Sequence, residues 1–519
     1  MTLARPHFVT VGTQQSRLWQ AGAGAPVVVL PGLVQAASEI AGRLARLAPE
    51  LGCFVFELPG TGGSAEVAFD SLDEVAAALQ AAIEAAGLRD APVLAFDLAT
   101  PIARLLQGRR VFVDVAPAQG WAARMPSLPG LAPRADGTHL NALFAHLRDA
   151  HVLDACSGRR AAREGNPLPS PEALDAMLLA ASARPAAYAR LWSLCCDGMR
   201  RRADERGAAS LEDALAQLRA QATAAPVVLA RPAPTPSIWR DHVHTPRGRV
   251  HVRQSGPDRS PLIALHSAPG SAAPLQPLLH GLGARRRVIA PDYIGNGDSD
   301  KVDTPVDIAT LAQDTLAVAD ALGLRRFDLW GTHTGALIAL EAALIAPERI
   351  GRVILEAPPL LAPDFTADLL AHYFPALPPD GWGLYLQQAW NMRRDMFLFW
   401  PWYRAERAAA RPLDVPEASF LHDWVVGLLS SGATYHRTYR AAFEYDTPSR
   451  LPLLRRPALV CAGPADMLAE GLRTARSLLG PAAAVSSTPA TVWYPGQDRQ
   501  AVDATIAMYA QFLDAPEEA

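Results

Sequence analysis

The sequence predicts an α/β fold built twice, as two domains that each carry a mostly parallel sheet with helices on both faces. Three observations lead there. Its 519 residues, half of them hydrophobic, exceed what one ordinary core organises and suit two globular units of roughly 200 to 300 residues. Between 238 and 360, short apolar runs alternate with stretches of helical spacing, the pattern of a parallel sheet with crossover helices. The same series of motifs also stands earlier in the chain, in the same order.

In the second half, residues 250–253, 262–265, 288–290, 327–330 and 353–355 read as strands, and 311–322 and 336–346 show helical spacing. The first half repeats the series. Residues 27–32 line up with 263–267, 56–64 with 291–299, 93–99 with 329–335, and 111–117 with 353–358. Four matches at nearly constant offset favour duplication, and the period is far longer than that of a solenoid. Alternating prolines at 231–237 predict an extended linker, which sets the domains at 1–230 and 238–519. Residues 226–230 predict a strand with too little chain after it for a closing helix and strand, so the first domain is expected to be truncated.

A net charge of −4 gives no basic surface for nucleic acid. Lys301 is the only lysine among 48 basic residues, so the arginine clusters at 200–202 and 285–287 are read as solvated faces. Cys53, Cys156, Cys195, Cys196 and Cys461 are odd in number, scattered and without metal-ligand spacing, which predicts reduced thiols and no metal site. The first residues lack a leader-like apolar stretch. The most apolar segment, 336–346, is interrupted by Glu341 and falls short of the roughly 18 residues of a membrane span. A cytoplasmic protein without membrane contact is expected.

The segment 329–335, Leu-Trp-Gly-Thr-His-Thr-Gly, has the frame of a G-x-S-x-G elbow. In that motif a strand turns sharply into a helix and holds its central side chain toward substrate. Here the central residue is His333. Imidazole titrates near neutral pH and can act as a general base without an acyl-serine.

Together these segments resemble the α/β-hydrolase superfamily, over nearly all of 238–515 and more faintly over 7–230. His266-Ser267-Ala268-Pro269-Gly270 resembles the HG-type oxyanion loop, 292–299 resembles the D-x-x-G-x-G-x-S turn, and 456–466 looks like the late strand and loop that deliver the acid. The resemblance implies two α/β-hydrolase-like domains, the second with a mostly helical cap at about 362–456, and Asp466 as the acid. It also exposes departures. Gln497 stands where the family's catalytic histidine is expected, and the last histidine, His436, precedes Asp466, so an orthodox Ser-His-Asp triad cannot be assembled. In the first domain Asp97 takes the elbow and Pro31 replaces the oxyanion-loop histidine. A structural role is expected for Asp97.

What remains is His333 as general base, with Asp466 fixing its tautomer and Glu356 as the alternative acid. Beside them, His266, Ser267 and Thr334 are candidate substrate contacts, although the family's histidine at the position of His266 usually supports the loop. Cap rings, among them Trp400 and Trp402, offer an apolar wall for a hydrophobic small molecule, or else pack the cap onto the sheet. Arg393, Arg394 and Arg404 suit a carboxylate if one of them points inward. The glycine runs at 60–63 and 295–297 read as turns, not phosphate loops, and no metal, flavin or nicotinamide is called for. Two functions stand side by side. One is a cofactor-independent hydrolase or lyase-type enzyme acting on a hydrophobic small molecule. The other is a non-catalytic homologue that binds a ligand or serves as a scaffold, its domains pairing with each other, with a second copy or with an active enzyme.

Overall fold

The computed structural model describes residues 4–113, 128–153, 168–200, 208, 210–221, 224–302, 304–479 and 483–516. The matched residues 114–117, Cys156, Arg201 and Arg202 lie outside them. The chain forms two compact units, one of Met1–Pro236 with Pro379–Gln387, the other of Ser237–Pro378 with Gln388–Ala519. The segment Pro379–Gln387, which the sequence places in the cap, thus groups with the first unit.

Among the described residues the first unit holds six strands: β1 (Arg5–Val11), β2 (Gln14–Ala21), β3 (Ala25–Leu30), β4 (Leu51–Phe56), β5 (Val93–Phe96) and β6 (Arg110–Val113). Their order across the sheet is β1-β2-β4-β3-β5-β6. β1 and β2 pair antiparallel, as do β2 and β4, while the β4-β3-β5-β6 ladder is parallel. The parallel strands read as continuous apolar runs because both faces are covered; every residue of β4 and β5 is buried. Among the described residues the sheet continues beyond β6 as a parallel bridge, Val113 to Ala208. Residues 226–230 join no sheet, correcting the expectation of a strand there. Their Val228 is 91% exposed, and the prolines around them withhold the donors a ladder needs.

The second unit has eight among the described residues: β7 (Ile238–Thr245), β8 (Gly248–Ser255), β9 (Leu262–Leu265), β10 (Val288–Pro291), β11 (Phe327–Thr332), β12 (Ile350–Glu356), β13 (Ala458–Ala462) and β14 (Ala483–Ser487). From β14 the order runs β14-β13-β12-β11-β9-β10-β8-β7. Apart from the antiparallel pairs of β7 with β8 and β8 with β10, the ladder is parallel. The helix Thr334–Ile345 is apolar all round and buried from Thr334 to Ala343, as a helix without a polar face must be. Its single charge, Glu341, is answered by Arg450 at 2.6 Å and the Tyr445 hydroxyl at 2.6 Å. Between β12 and β13 stand helices Pro363–His372, Leu384–Leu398, Ala418–Leu429, His436–Glu444 and Thr447–Arg450. Among the described residues no helix is long and apolar enough to cross a membrane.

The turn at 292–299 braces the loops around β10. Asp292 is buried and accepts hydrogen bonds from the Ala272 and Asp298 amides and from His251 Nδ1. Burial opposes its ionisation, but the His251 ring outweighs that and carries its pKa down to about 2. This glycine-rich segment therefore organises backbone, as a turn should.

Candidate active site

β11 ends at Thr332, the helix begins at Thr334, and His333 between them is held at φ 49° and ψ −113°. A β-carbon on Gly331 would lie 2.1 Å from the Gly335 carbonyl oxygen, and one on Gly335 would lie 2.1 Å from that of Leu265. The two flanking glycines let strand, helix and β9 approach this closely. His333 bears the resulting strain, which such a backbone stores at a cost of about 1–3 kcal/mol.

The imidazole meets the carboxylate that the sequence assigns to it. His333 Nε2 lies 2.9 Å from Asp466 Oδ2 and 3.1 Å from Oδ1. Asp466 stands on the loop after β13, its side chain wholly buried and that of His333 11% exposed. The loop is fixed in turn. The Leu468 amide donates to Asp466 Oδ1 (2.9 Å), and Arg411 Nη2 donates to the Ala465 carbonyl (2.8 Å). A carboxylate only accepts, so in the neutral tautomer that fits this contact the proton sits on Nε2 and the lone pair on Nδ1. Among the described residues, no group hydrogen-bonds to Nδ1.

Glu356 is close but engaged elsewhere. Its side chain is fully buried at the end of β12 and accepts from the Tyr509 hydroxyl (2.7 Å) and Trp493 Nε1 (3.0 Å). Burial raises its pKa, the Tyr509 hydrogen bond opposes that, and the charge of Asp466 adds to it. The Trp493 ring stands edge-on to His333, centroids 5.3 Å apart. Glu356 thus positions the ring beside the imidazole, while its backbone carbonyl accepts from the His333 amide at 3.0 Å. Sequence reasoning missed Trp493 and Tyr509; the one signal for Trp493 was its place four residues before Gln497. The Gln497 amide turns back toward the Pro495 carbonyl, 3.5 Å away.

His266 is buried and stacks on Tyr293 with ring centroids 4.2 Å apart, its Nδ1 2.8 Å from the Ser267 carbonyl. Burial lowers its pKa, so the neutral ring packs the loop and does not face outward as a substrate contact would. Ser267 is half-buried, with its hydroxyl 3.3 Å from the Ala268 carbonyl, and Thr334 is buried in the first turn of the helix. Trp400 packs against Ala357, Ala462 and Leu468, beside the loop of Asp466. Trp402 lies farther into the cap, its Nε1 donating to the Tyr373 carbonyl at 3.3 Å. Tyr373 gathers Trp400, Trp402, Tyr403 and Tyr439 around itself. The sequence offers these rings as a ligand-facing wall or as packing of the cap, and here they pack edge-to-face on Tyr373, a favourable arrangement of aromatics.

A family model for the alpha/beta hydrolase fold matches residues 260–391, from β9 into the cap. Over these residues the second unit is similar to the α/β-hydrolase superfamily. Its relatives are hydrolases. RutD of Azorhizobium caulinodans, which carries the name of a carbamate hydrolase, is 27% identical over 226 residues, covering 42% of this chain and 81% of its own. The 2-hydroxymuconate semialdehyde hydrolase of Pseudomonas putida is 31% identical over 174 residues, or 32% of this chain. This chain spans only 57% of that relative's length. Among solved structures, epoxide hydrolase A of Mycobacterium thermoresistibile is similar with a TM-score of 0.43 and 22% identity, over 54% of this chain and 100% of that one. This unit has neither an elbow serine nor a late histidine, and the carboxylate on the loop after β13 meets the elbow residue instead.

Proposed function

We propose that the chain is a cofactor-independent hydrolase for a small, largely apolar molecule, with His333 as general base and Asp466 as its orienting partner. The observation that carries this reading is the 2.9 Å contact between His333 Nε2 and Asp466, which leaves the Nδ1 lone pair free on a strained elbow. Nδ1 takes a proton from water as the water oxygen adds to an ester-type carbonyl. The imidazolium is stabilised by Asp466 and then returns the proton to the departing alcohol, so that acid and alcohol leave and the ring is restored. The N-terminus of helix Thr334–Ile345 starts at the next residue, and its partial positive charge favours the oxyanion. Proton abstraction from a carbon acid uses the same nitrogen and is the lyase-type variant of this reading.

A second reading is favoured by one observation, the 11% exposure of the His333 side chain: a non-catalytic homologue that binds a ligand or partner. A panel of p-nitrophenyl esters, lactones and carbon acids decides between them. Turnover by the purified chain that disappears in His333→Ala supports the enzyme. Turnover that survives intact in that variant removes His333 from the mechanism, and turnover of nothing leaves the binder.

A further inference from the structure

We propose that Arg393 is an anion subsite that receives a carboxylate carried by the substrate, so that the substrates are small organic acids bearing an ester-type bond. This inference rests on the hydrolase reading of His333. Arg393 lies on helix Leu384–Leu398 and is only 2% exposed. The other two buried arginines among the described residues are both neutralised, Arg286 by Asp328 at 2.8 Å and Arg249 by Asp300 at 3.0 Å. Arg393 has no carboxylate within ion-pairing distance among the described residues. One face of its guanidinium lies over the Trp424 ring, 4.1 Å from the centroid. Nη2 donates to the Pro269 carbonyl at 2.8 Å, and Nη1 finds only the Met396 sulfur at 3.8 Å. Nε is buried without an acceptor.

A buried cation that is neither paired nor fully hydrogen-bonded is costly, and native structures tolerate it where a ligand completes it. Burial draws the guanidinium's pKa down to about 10, which leaves it charged at neutral pH. Its surroundings suit a ligand. A β-carbon on Gly270 would lie 3.8 Å from Nη2 and 3.9 Å from the Gly427 carbonyl oxygen, so the Gly270 backbone stands at van der Waals distance from the guanidinium. Asn296, which donates to the Ser431 hydroxyl at 3.0 Å, has its own Oδ1 buried without a partner. Ser431 reaches the Gly270 carbonyl at 3.5 Å, so this second orphan group adjoins the same loop. That loop leaves β9 two residues before Pro269 through Ser267, and the end of β9 packs directly on the elbow at Gly335. The planar fork of arginine matches a carboxylate better than an ammonium does.

The test compares two esters of equal size, p-nitrophenyl hydrogen succinate and its neutral methyl ester, in the wild type, Arg393→Met and Arg393→Lys. The wild type is expected to prefer the charged ester at least about tenfold in kcat/KM, mainly through KM, because an unpaired site group penalises the analogue that leaves it unpaired. Arg393→Met is expected to bring the ratio to about one, and Arg393→Lys to keep part of it. An unchanged ratio in Arg393→Met, or an equal loss on both esters, assigns the residue to holding the loop and overturns the subsite. Binding of succinate itself, read as a rise in Tm, separates this from the hydrolase reading. A succinate shift in the wild type that is absent in Arg393→Met keeps the subsite even if neither ester turns over, whereas no shift and no preference in the wild type reject it.

Discussion

The two units solve the same backbone problem and then diverge at one side chain. Across the first sheet the order β1-β2-β4-β3-β5-β6 is the order β7-β8-β10-β9-β11-β12 of the second. Their turns agree bond by bond. The Glu57 amide donates to the Arg17 carbonyl as that of Asp292 does to His251, at 3.0 and 2.9 Å. The Arg17 amide donates to Ser64 as that of His251 does to Ser299, both at 2.9 Å. Gly62 and Gly297 stand at φ 47° and 49°, where an added β-carbon would strike the Glu57 and Asp292 carboxylates. Even the elbows match, with Asp97 at φ 41° and His333 at φ 49°. What differs is the element beyond. The second sheet goes on to β13, whose loop brings Asp466 to the elbow, whereas among the described residues the first sheet goes on as the bridge at Ala208. The two elbows share their backbone strain, and what sets His333 apart is the buried Asp466 carboxylate 2.9 Å from its ring.

The largest expected effect tests that contrast. His333→Ala should lower kcat/KM by at least about 100-fold, the range of a lost general base, while Asp97→Asn should stay within about threefold of the wild type. Equal losses in both would erase the functional difference between the elbows. Asp466→Asn should cost less, about 10- to 100-fold, since the amide keeps a partner for the ring but not the charge that supports imidazolium; steady-state kinetics on the same ester measures it. The shared turns make a stability prediction. Asp292→Asn and Glu57→Gln should each destabilise the chain by about 2–4 kcal/mol in denaturant unfolding. If only one of them does, the likeness of the turns is one of outline.

The smallest effects are in pH dependence, and they have opposite signs. Asp292, with its pKa down at about 2, contributes about 2 kcal/mol above pH 4 that is lost as pH falls toward 2. In the first unit Asp175 accepts from the Tyr385 hydroxyl at 2.6 Å, and burial pushes its carboxyl up to about 6. Its contribution is present below pH 4 and is lost as pH rises through 6. Unfolding curves from pH 2 to 7 should therefore lose their acid arm in Asp292→Asn and flatten between pH 4 and 6 in Asp175→Asn. Variants with unaltered profiles would sink both assignments.

Much of this was legible in the chain. The parallel strands are visible because a strand buried on both faces is apolar throughout, and the turns because Gly62 and Gly297 need a backbone that side chains disfavour. The edge strand β1, its neighbour β2 and the edge strand β14 were not legible. Edge strands are partly exposed and mix polar with apolar residues, so nothing in their composition separates them from loops. The strand expected at 226–230 failed for the converse reason: an apolar run next to prolines looks like a strand whether or not a neighbour accepts its hydrogen bonds.

The sequence alone determined that an imidazole would stand at the second elbow, that no serine or late histidine could replace it, and that Asp466 would leave β13 on the following loop. The first follows from the elbow motif, and the other two from the chain's resemblance to the α/β-hydrolase superfamily, whose order of motifs it keeps. Tertiary structure alone decided which carboxylate the ring would meet, since Asp466 and Glu356 are both compatible with the spacing and only the packing of Trp493 and Tyr509 commits Glu356 elsewhere. It also decided that Arg393, one of many arginines in the chain, would be buried without a counter-charge. Burial and pairing depend on what distant segments bring together, and a linear pattern does not carry that information.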